Sequence, residues 1–219
     1  MLFRSAAEPF ASQLETNLPG IYSNGGAVLG LDGEFVYQLA LPESAKRYCK
    51  QIIQDHPHIQ AIAIVHGDYY VLSGDLHGGI TEFEVIEIKP AKAETWDQVW
   101  AKVLFVLDPD QVPELEHYCC EMDAPDVDFV RGLKTLLEML PTGTNKLVGL
   151  QRMIEHTGLQ DKTVVFIGDY YNDLELVKYA HIGAAPANAV DAVKAAADLI
   201  VPDCTSGAVE YLIDYLGKQ

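Results

Sequence analysis

Apolar and polar positions follow two different rules along this chain, with the change near Pro141. Before it, apolar runs are short, rich in β-branched and aromatic residues, and separated by turn signals. "RSAAEPFASQLETN" has helical spacing and is stopped by Pro19 and Gly20, after which "IYSNGG" predicts a strand ending in a turn. "AVLGLDGEFVYQLAL" predicts a hairpin around Leu31, Asp32 and Gly33, and Pro42 can open a helix that runs to about Gln54. "IQAIAIVHGDYYVLSG" gives two further strands around Gly67 and Asp68, while residues 74–90 carry no clear period. From Trp100 a strand and then a helix are expected in "AKVLFVLDPDQVPELEHYCCEM", followed by strands in "VDFVRG" and "TLLEML". After Pro141, helix and strand alternate: "NKLVGLQRMIEHTG", "TVVFIG", "LELVKYA", "HIGAA", "NAVDAVKAAA", "DLIV" and "SGAVEYLIDYL". Such alternation predicts an α/β fold in which helices cover a parallel sheet.

Composition narrows the function classes. Half of the residues are hydrophobic (49%) and a fifth are charged (21%), which excludes a disordered chain. No apolar run approaches the ~20 residues of a membrane span, and the N-terminus meets Glu8 before any signal-type apolar core. With 32 acidic against 15 basic residues the net charge is -17, which repels a nucleic acid backbone. A small phosphorylated substrate is compatible with that charge only where a bound cation and a lysine reverse the local field. Cys49, Cys119, Cys120 and Cys204 form no metal or redox spacing and are expected to be free, mostly buried thiols. Together these features predict a soluble cytoplasmic protein with neither nucleic acid nor membrane as partner.

The chemistry concentrates in "VVFIGDYYNDLEL". A buried strand there ends at Gly168 and Asp169, and Asn172 and Asp173 fall in the first turn of the next helix. In a parallel sheet, ligands gather beyond the carboxyl ends of the strands. A carboxylate at Asp169 can occupy one position around Mg²⁺, which prefers one or two protein carboxylates plus water and phosphate oxygens. Asn172 can donate to a phosphate oxygen, and Asp173 can support the metal directly or through water. Asp and Asn are also favoured as plain helix caps, so these residues alone leave both readings open. Lys146 opens the preceding helix in "GTNKLVGL", where a cation opposes the helix dipole unless an anion is bound.

"GTNK", "VVFIGDYYNDLEL" and "IGAAPANAVDAVKAAADLIVPDCTSGAVEYLI" together resemble the closing third of Cof-type phosphatases of the haloacid dehalogenase superfamily. "IYSNGGAVLGLDGEFVYQLAL" is similar to that family's entry into an inserted cap domain, and "GLKTLLEMLPTGTNK" to its exit. The resemblance implies a Rossmann-like parallel core formed by residues 1–25 and 141–219, with an α/β cap over 26–140. It implies a Mg²⁺-dependent phosphatase of small phosphate esters such as sugar phosphates. In that reading Lys146 binds phosphate, Asn172 contacts substrate, Asn188 lines the same mouth, Asp169 is a metal ligand, and Asp173 is a metal or supporting carboxylate.

The family also begins with an apolar strand ending in D-x-D, whose first Asp attacks phosphorus and whose second serves as acid and base. No such motif precedes Arg4. The resemblance therefore implies a truncated chain, short of strand, helix and strand, and a gap in the core sheet of roughly 14 Å at ~4.8 Å per spacing. Asp108-Pro109-Asp110 mimics the motif but falls inside the expected cap and reads as a turn opening a helix; Asp126 to Asp128 precedes its apolar run. Two functions stay in competition: a phosphatase whose nucleophile strand is absent from this chain, and a non-catalytic protein that binds a phosphorylated ligand or a partner protein. His66 and His77 read as ordinary loop residues, substrate identity is not legible, and open sheet edges invite pairing with a second copy.

Overall fold

The computed structural model describes residues 16–75 and 87–218, which divide into two compact units, Met1–Met153 and Ile154–Gln219. The helix expected in "RSAAEPFASQLETN" and the residue His77 fall largely or wholly outside the described residues.

The first unit contains two sheets. Strands β1 (Gly20–Tyr22), β2 (Ala27–Leu29) and β3 (Phe35–Gln38) pair antiparallel in that order, with the predicted turn at Asp32 and Gly33 joining β2 to β3. The larger sheet has the order β6 (Ile88–Pro90), β5 (Asp68–Ser73), β4 (Gln60–Val65), β7 (Lys102–Val106), β9 (Leu136–Pro141), β8 (Val127–Leu133). All its pairings are antiparallel except β5 with β6.

Helices α1 (Ser44–Asp55) and α3 (Val112–Glu121) cover one face of this sheet. Ala45, Tyr48, Cys49 and Ile52 recur at helical spacing and bury one stripe of α1 against Ala61, Ala63, Val103, Phe105 and Leu137. Alternate residues Ile62, Ile64, Tyr69, Val71 and Leu104 point to the opposite face, as the two-residue period of a strand requires. A short helix α2 (Ala93–Asp97), which the periodicity did not reveal, lies between β6 and β7. Helix α4 (Lys146–Thr157) crosses the division between the units.

The second unit is a parallel sheet of β10 (Val165–Ile167), β11 (Ile182–Pro186) and β12 (Leu199–Val201), wound with α5 (Leu174–Tyr179), α6 (Asp191–Ala196) and α7 (Ala208–Leu216). Ala185 packs with Val177 and Val193 from α5 and α6, whereas its neighbour Ala184 packs with Ala208 and Leu212 from α7. Both faces are covered, which is why these strands are apolar without alternation. The α/β class read from the alternation is therefore the observed one.

Cys49 and Cys119 are buried, and burial pushes both thiols up to about 12; Cys120 and Cys204 are exposed, and all four are free. Among the described residues no helix is long and apolar enough to cross a membrane.

The larger sheet also buries charge. Lys102 on β7 and Glu138 on β9 lie 3.1 Å apart, each with a side chain 3% exposed. Removing one member of such a pair commonly costs about 3–5 kcal/mol, whereas replacing both with apolar groups is often neutral. Glu138→Ala is accordingly expected to lose that amount in urea denaturation, and Lys102→Met combined with Glu138→Leu to recover only part of it, because Glu138 also accepts from the buried Asn24 amide.

Candidate functional site

In the second unit, β10 hands the chain to a tight loop over residues 168–173. The Gly168 N–H donates to the Ala184 carbonyl (3.1 Å), prolonging the pairing with β11 by one residue. A Cβ at position 168 would stand 2.5 Å from Asp173 Cβ, so only glycine admits Asp173 there. The reason for that proximity is a set of hydrogen bonds. Asp173, 3% exposed, uses Oδ2 to accept the N–H groups of Asp169 (3.0 Å) and Tyr170 (3.1 Å). Its own N–H donates to the Tyr170 carbonyl (2.9 Å), closing the 3-10 turn Tyr171–Asp173 that leads into α5. Hydrogen bonds to an ionised acceptor contribute about 1.5–3 kcal/mol each, so this carboxylate fixes the loop's backbone firmly.

Two neighbouring loops are joined to this one. The Asp169 carbonyl accepts the Val190 N–H (3.0 Å), linking the loop after β10 to the loop after β11. Asn188 Oδ1 accepts the Cys204 N–H (3.1 Å) and Asn188 Nδ2 donates to Cys204 Sγ (3.2 Å), which ties in the loop after β12. Asp203 in that last loop accepts the Thr205 amide (2.9 Å) and hydroxyl (2.7 Å), and these bonds hold its carboxyl below the usual carboxylate range.

All three loops at the carboxyl ends of the parallel strands are thus cross-braced. The Asp169 side chain is exposed and accepts no hydrogen bond among the described residues, and Asn172 beside it is half-buried. Among the described residues no group of three or more His, Cys, Asp or Glu could hold a metal. The donor set that remains, one presented carboxylate backed by a second, fits Mg²⁺, which keeps several waters and takes few protein ligands. Asp173 fits a supporting place better than a direct one, because its Oδ2 already serves two amides.

In the first unit, Lys146 is the first residue of α4 and half-buried. Asn145 caps that helix through Oδ1, which accepts the Val148 N–H (2.8 Å). Against this corner packs a turn that sequence reasoning missed as a site element. Ser23, Asn24 and Gly25 are all left-handed (φ 50°, 54° and 95°), and a Cβ on Gly25 would fall 1.9 Å from the Asn145 carbonyl oxygen. Non-glycine residues in that region are uncommon and persist only where their surroundings hold them.

Here Asn24 Nδ2 donates to Glu138 Oε2 (2.5 Å), the same buried carboxylate that pairs with Lys102. Ser23 Oγ and Thr144 Oγ1 beside this corner are buried and have no hydrogen-bond partner among the described residues. The available signal was "SNGG", whose Asn and glycines favour left-handed turns; nothing in it announced Glu138.

The two D-x-D look-alikes are otherwise engaged. Asp108 and Asp110 are exposed, and Asp108 exchanges hydrogen bonds with Gln111 at the start of α3, as expected of a turn. Their strand, β7, is antiparallel to both neighbours, and both residues lie in the turn that opens α3. Asp126 accepts the hydroxyls of Ser44 and Tyr48, and these bonds, Ser44 foremost, lower its pKa; Asp128 accepts the Gly143 N–H (2.8 Å).

The chain is similar to known proteins over most of its length. Residues 4–213 match a family model described as haloacid dehalogenase-like hydrolase. The chain is 27% identical over 192 residues to 5-amino-6-(5-phospho-D-ribitylamino)uracil phosphatase YitU of Bacillus subtilis, covering 84% of this chain and 71% of that protein. It is 29% identical over 191 residues to a chloroplastic protein of Arabidopsis thaliana named endoribonuclease YBEY; that match covers 83% of this chain but only 32% of the relative, so the chain spans about a third of that protein. A crystal structure of a haloacid dehalogenase-like hydrolase from Bacteroides thetaiotaomicron superposes with a TM-score of 0.75 at 25% identity, covering 88% of this chain and 74% of that one. The family match runs from before β1 to within α7, taking in the turn at Asn24, the start of α4 and the braced loop of Asp169, and on that extent the chain belongs to the haloacid dehalogenase-like hydrolases.

Proposed function

We propose that this chain carries the metal- and phosphate-holding groups of a Mg²⁺-dependent phosphatase acting on small phosphate esters such as sugar phosphates. The observation that carries the reading is the grip of Asp173 on the amides of Asp169 and Tyr170, which leaves the Asp169 carboxylate presented and unengaged among the described residues. Asp169 is the metal ligand, Asp173 its support and Asn172 a substrate contact. Asn188 braces the loops around them through Cys204. Lys146 is the phosphate-binding lysine, held by the Asn145 cap and the turn at residues 23–26. When bound, Mg²⁺ supplies positive charge that offsets the charge spread over phosphoryl oxygens. The six-stranded sheet with α1 and α3 serves as the cap domain over residues 26–140, the part that selects the substrate.

These residues bind and orient; none of them is a nucleophile toward phosphorus. Neither D-x-D stretch supplies one, because Asp108 starts a helix from an antiparallel strand and Asp126 and Asp128 are engaged with Ser44, Tyr48 and Gly143. That engagement also favours a second reading, a chain that binds a phosphorylated ligand without hydrolysing it.

Two measurements test the proposal. Turnover of p-nitrophenyl phosphate with Mg²⁺ by this 219-residue chain is expected near background and unchanged by Asp108→Asn; robust turnover that Asp108→Asn abolishes contradicts the assignment. Calorimetric titration with inorganic phosphate is expected to show binding about ten- to a hundredfold weaker in Lys146→Ala, the loss of one charge-assisted contact of roughly 1.5–3 kcal/mol. Equal affinity in that variant removes Lys146 from the phosphate site.

A further inference from the structure

The loop that presents Asp169 also carries two tyrosines. Tyr170 is half-buried, while Tyr171 leaves 60% of its surface in water. Their rings meet edge to face, with centroids 5.2 Å apart and planes at 73°, the near-perpendicular arrangement that aromatic quadrupoles favour.

An exposed aromatic side chain is by itself ordinary on a protein surface. Tyr171 differs in how it is held and where it stands. It opens the 3-10 turn Tyr171–Asp173, which the Asp173 N–H closes on the Tyr170 carbonyl (2.9 Å). The two amides before it, those of Asp169 and Tyr170, are both held by the Asp173 carboxylate (3.0 and 3.1 Å). With its backbone fixed and its ring propped on Tyr170, Tyr171 has little freedom left to lose on meeting a ligand.

Its position is set by Tyr170, which is extended (φ -126°, ψ 173°). Side chains on either side of an extended residue project to the same side of the chain. The exposures agree, with Asp169 and Tyr171 in solvent and Tyr170 turned partly inward. At about 3.8 Å per residue, the Cα atoms of Asp169 and Tyr171 are no more than about 7.6 Å apart. A phosphoryl group held at Asp169 therefore brings a ring attached to it directly, or through one carbon, within reach of the Tyr171 ring. An open-chain ester has no face to lay on that surface, whereas a planar ring does, and two rigid surfaces meet at low entropic cost.

We propose that Tyr171 is a specificity-determining residue that stacks on a planar ring of the phosphate ester, so that the site prefers aromatic ring-bearing phosphate monoesters to open-chain ones. The inference rests on the reading of Asp169 as the metal ligand of a phosphate site.

Phenyl phosphate and methyl phosphate carry the same head group with and without a ring. Each is titrated, with Mg²⁺ present, into the full ¹⁵N-labelled chain while the amides of residues 169–173 are followed. Phenyl phosphate is expected to bind about three- to tenfold more tightly, the range of one aromatic contact. Tyr171→Ala should bring the ratio of the two affinities to roughly unity, and Tyr171→Phe should preserve it, because the ring and not the hydroxyl makes the contact. Tyr171 is exposed, and a urea transition superposable on the parent's shows that each variant is folded. Equal affinities in the parent, a preference that survives Tyr171→Ala, or one that is lost in Tyr171→Phe overturns this inference and leaves the phosphate site standing. If neither ester moves these amides at millimolar concentration, the phosphate-site reading fails and the inference fails with it.

Discussion

One buried carboxylate organises the loop that follows β10 in the second unit. Asp173 sits out of water at 3% exposure, a position an anion tolerates only when its oxygens are occupied, and the amides of Asp169 and Tyr170 occupy one of them. Everything else in the loop follows from that arrangement. Position 168 must be glycine because the Asp173 side chain takes the space of a Cβ. The 3-10 turn must close before α5 begins, and the Asp169 side chain, with its backbone fixed at both amide and carbonyl, is carried outward. The interaction that caps the turn is also the one that turns the Asp169 side chain outward.

The first unit solves a related problem with a different device. Glu138 and Lys102 neutralise each other inside the sheet, and the second oxygen of Glu138 reaches out to Asn24. That contact offsets part of the strain of two left-handed non-glycine residues in the turn that supports the start of α4. Buried ion pairs contribute little net stability, and in some proteins their value is in fixing one arrangement of the chain. Here the arrangement fixed is the backbone beside Lys146, where the hydroxyls of Ser23 and Thr144 are buried without a partner among the described residues.

The sequence carried the fold well where period and punctuation were strong. The strands around Gly67, the stripe of α1 and the strand-helix alternation beyond Pro141 all follow from local patterns, and the structure has them. Helix α2 has five residues, too few for a period to appear, and went unseen. For the site, the same limit applies. Asp169 and Asp173 are four positions apart, so their association was legible, but whether Asp173 faced a ligand or the backbone depends on geometry that capping and metal-binding sequences share. The partnership of Asn24 with Glu138 spans 114 positions and leaves no local trace. The sequence placed Asn188 in the loop after a strand, but its bond to Cys204 left no local trace, because two loops after different strands meet there.

The central claim is that Asp173 holds the loop so that Asp169 can take Mg²⁺. Titrating Mg²⁺ into the ¹⁵N-labelled chain and following the amides of residues 168–173 tests it most directly. Saturable shifts confined to that loop and its bonded neighbour Val190, absent in Asp169→Asn, are the result expected; a loop that ignores Mg²⁺, or an Asp169→Asn variant that responds as the parent does, contradicts it.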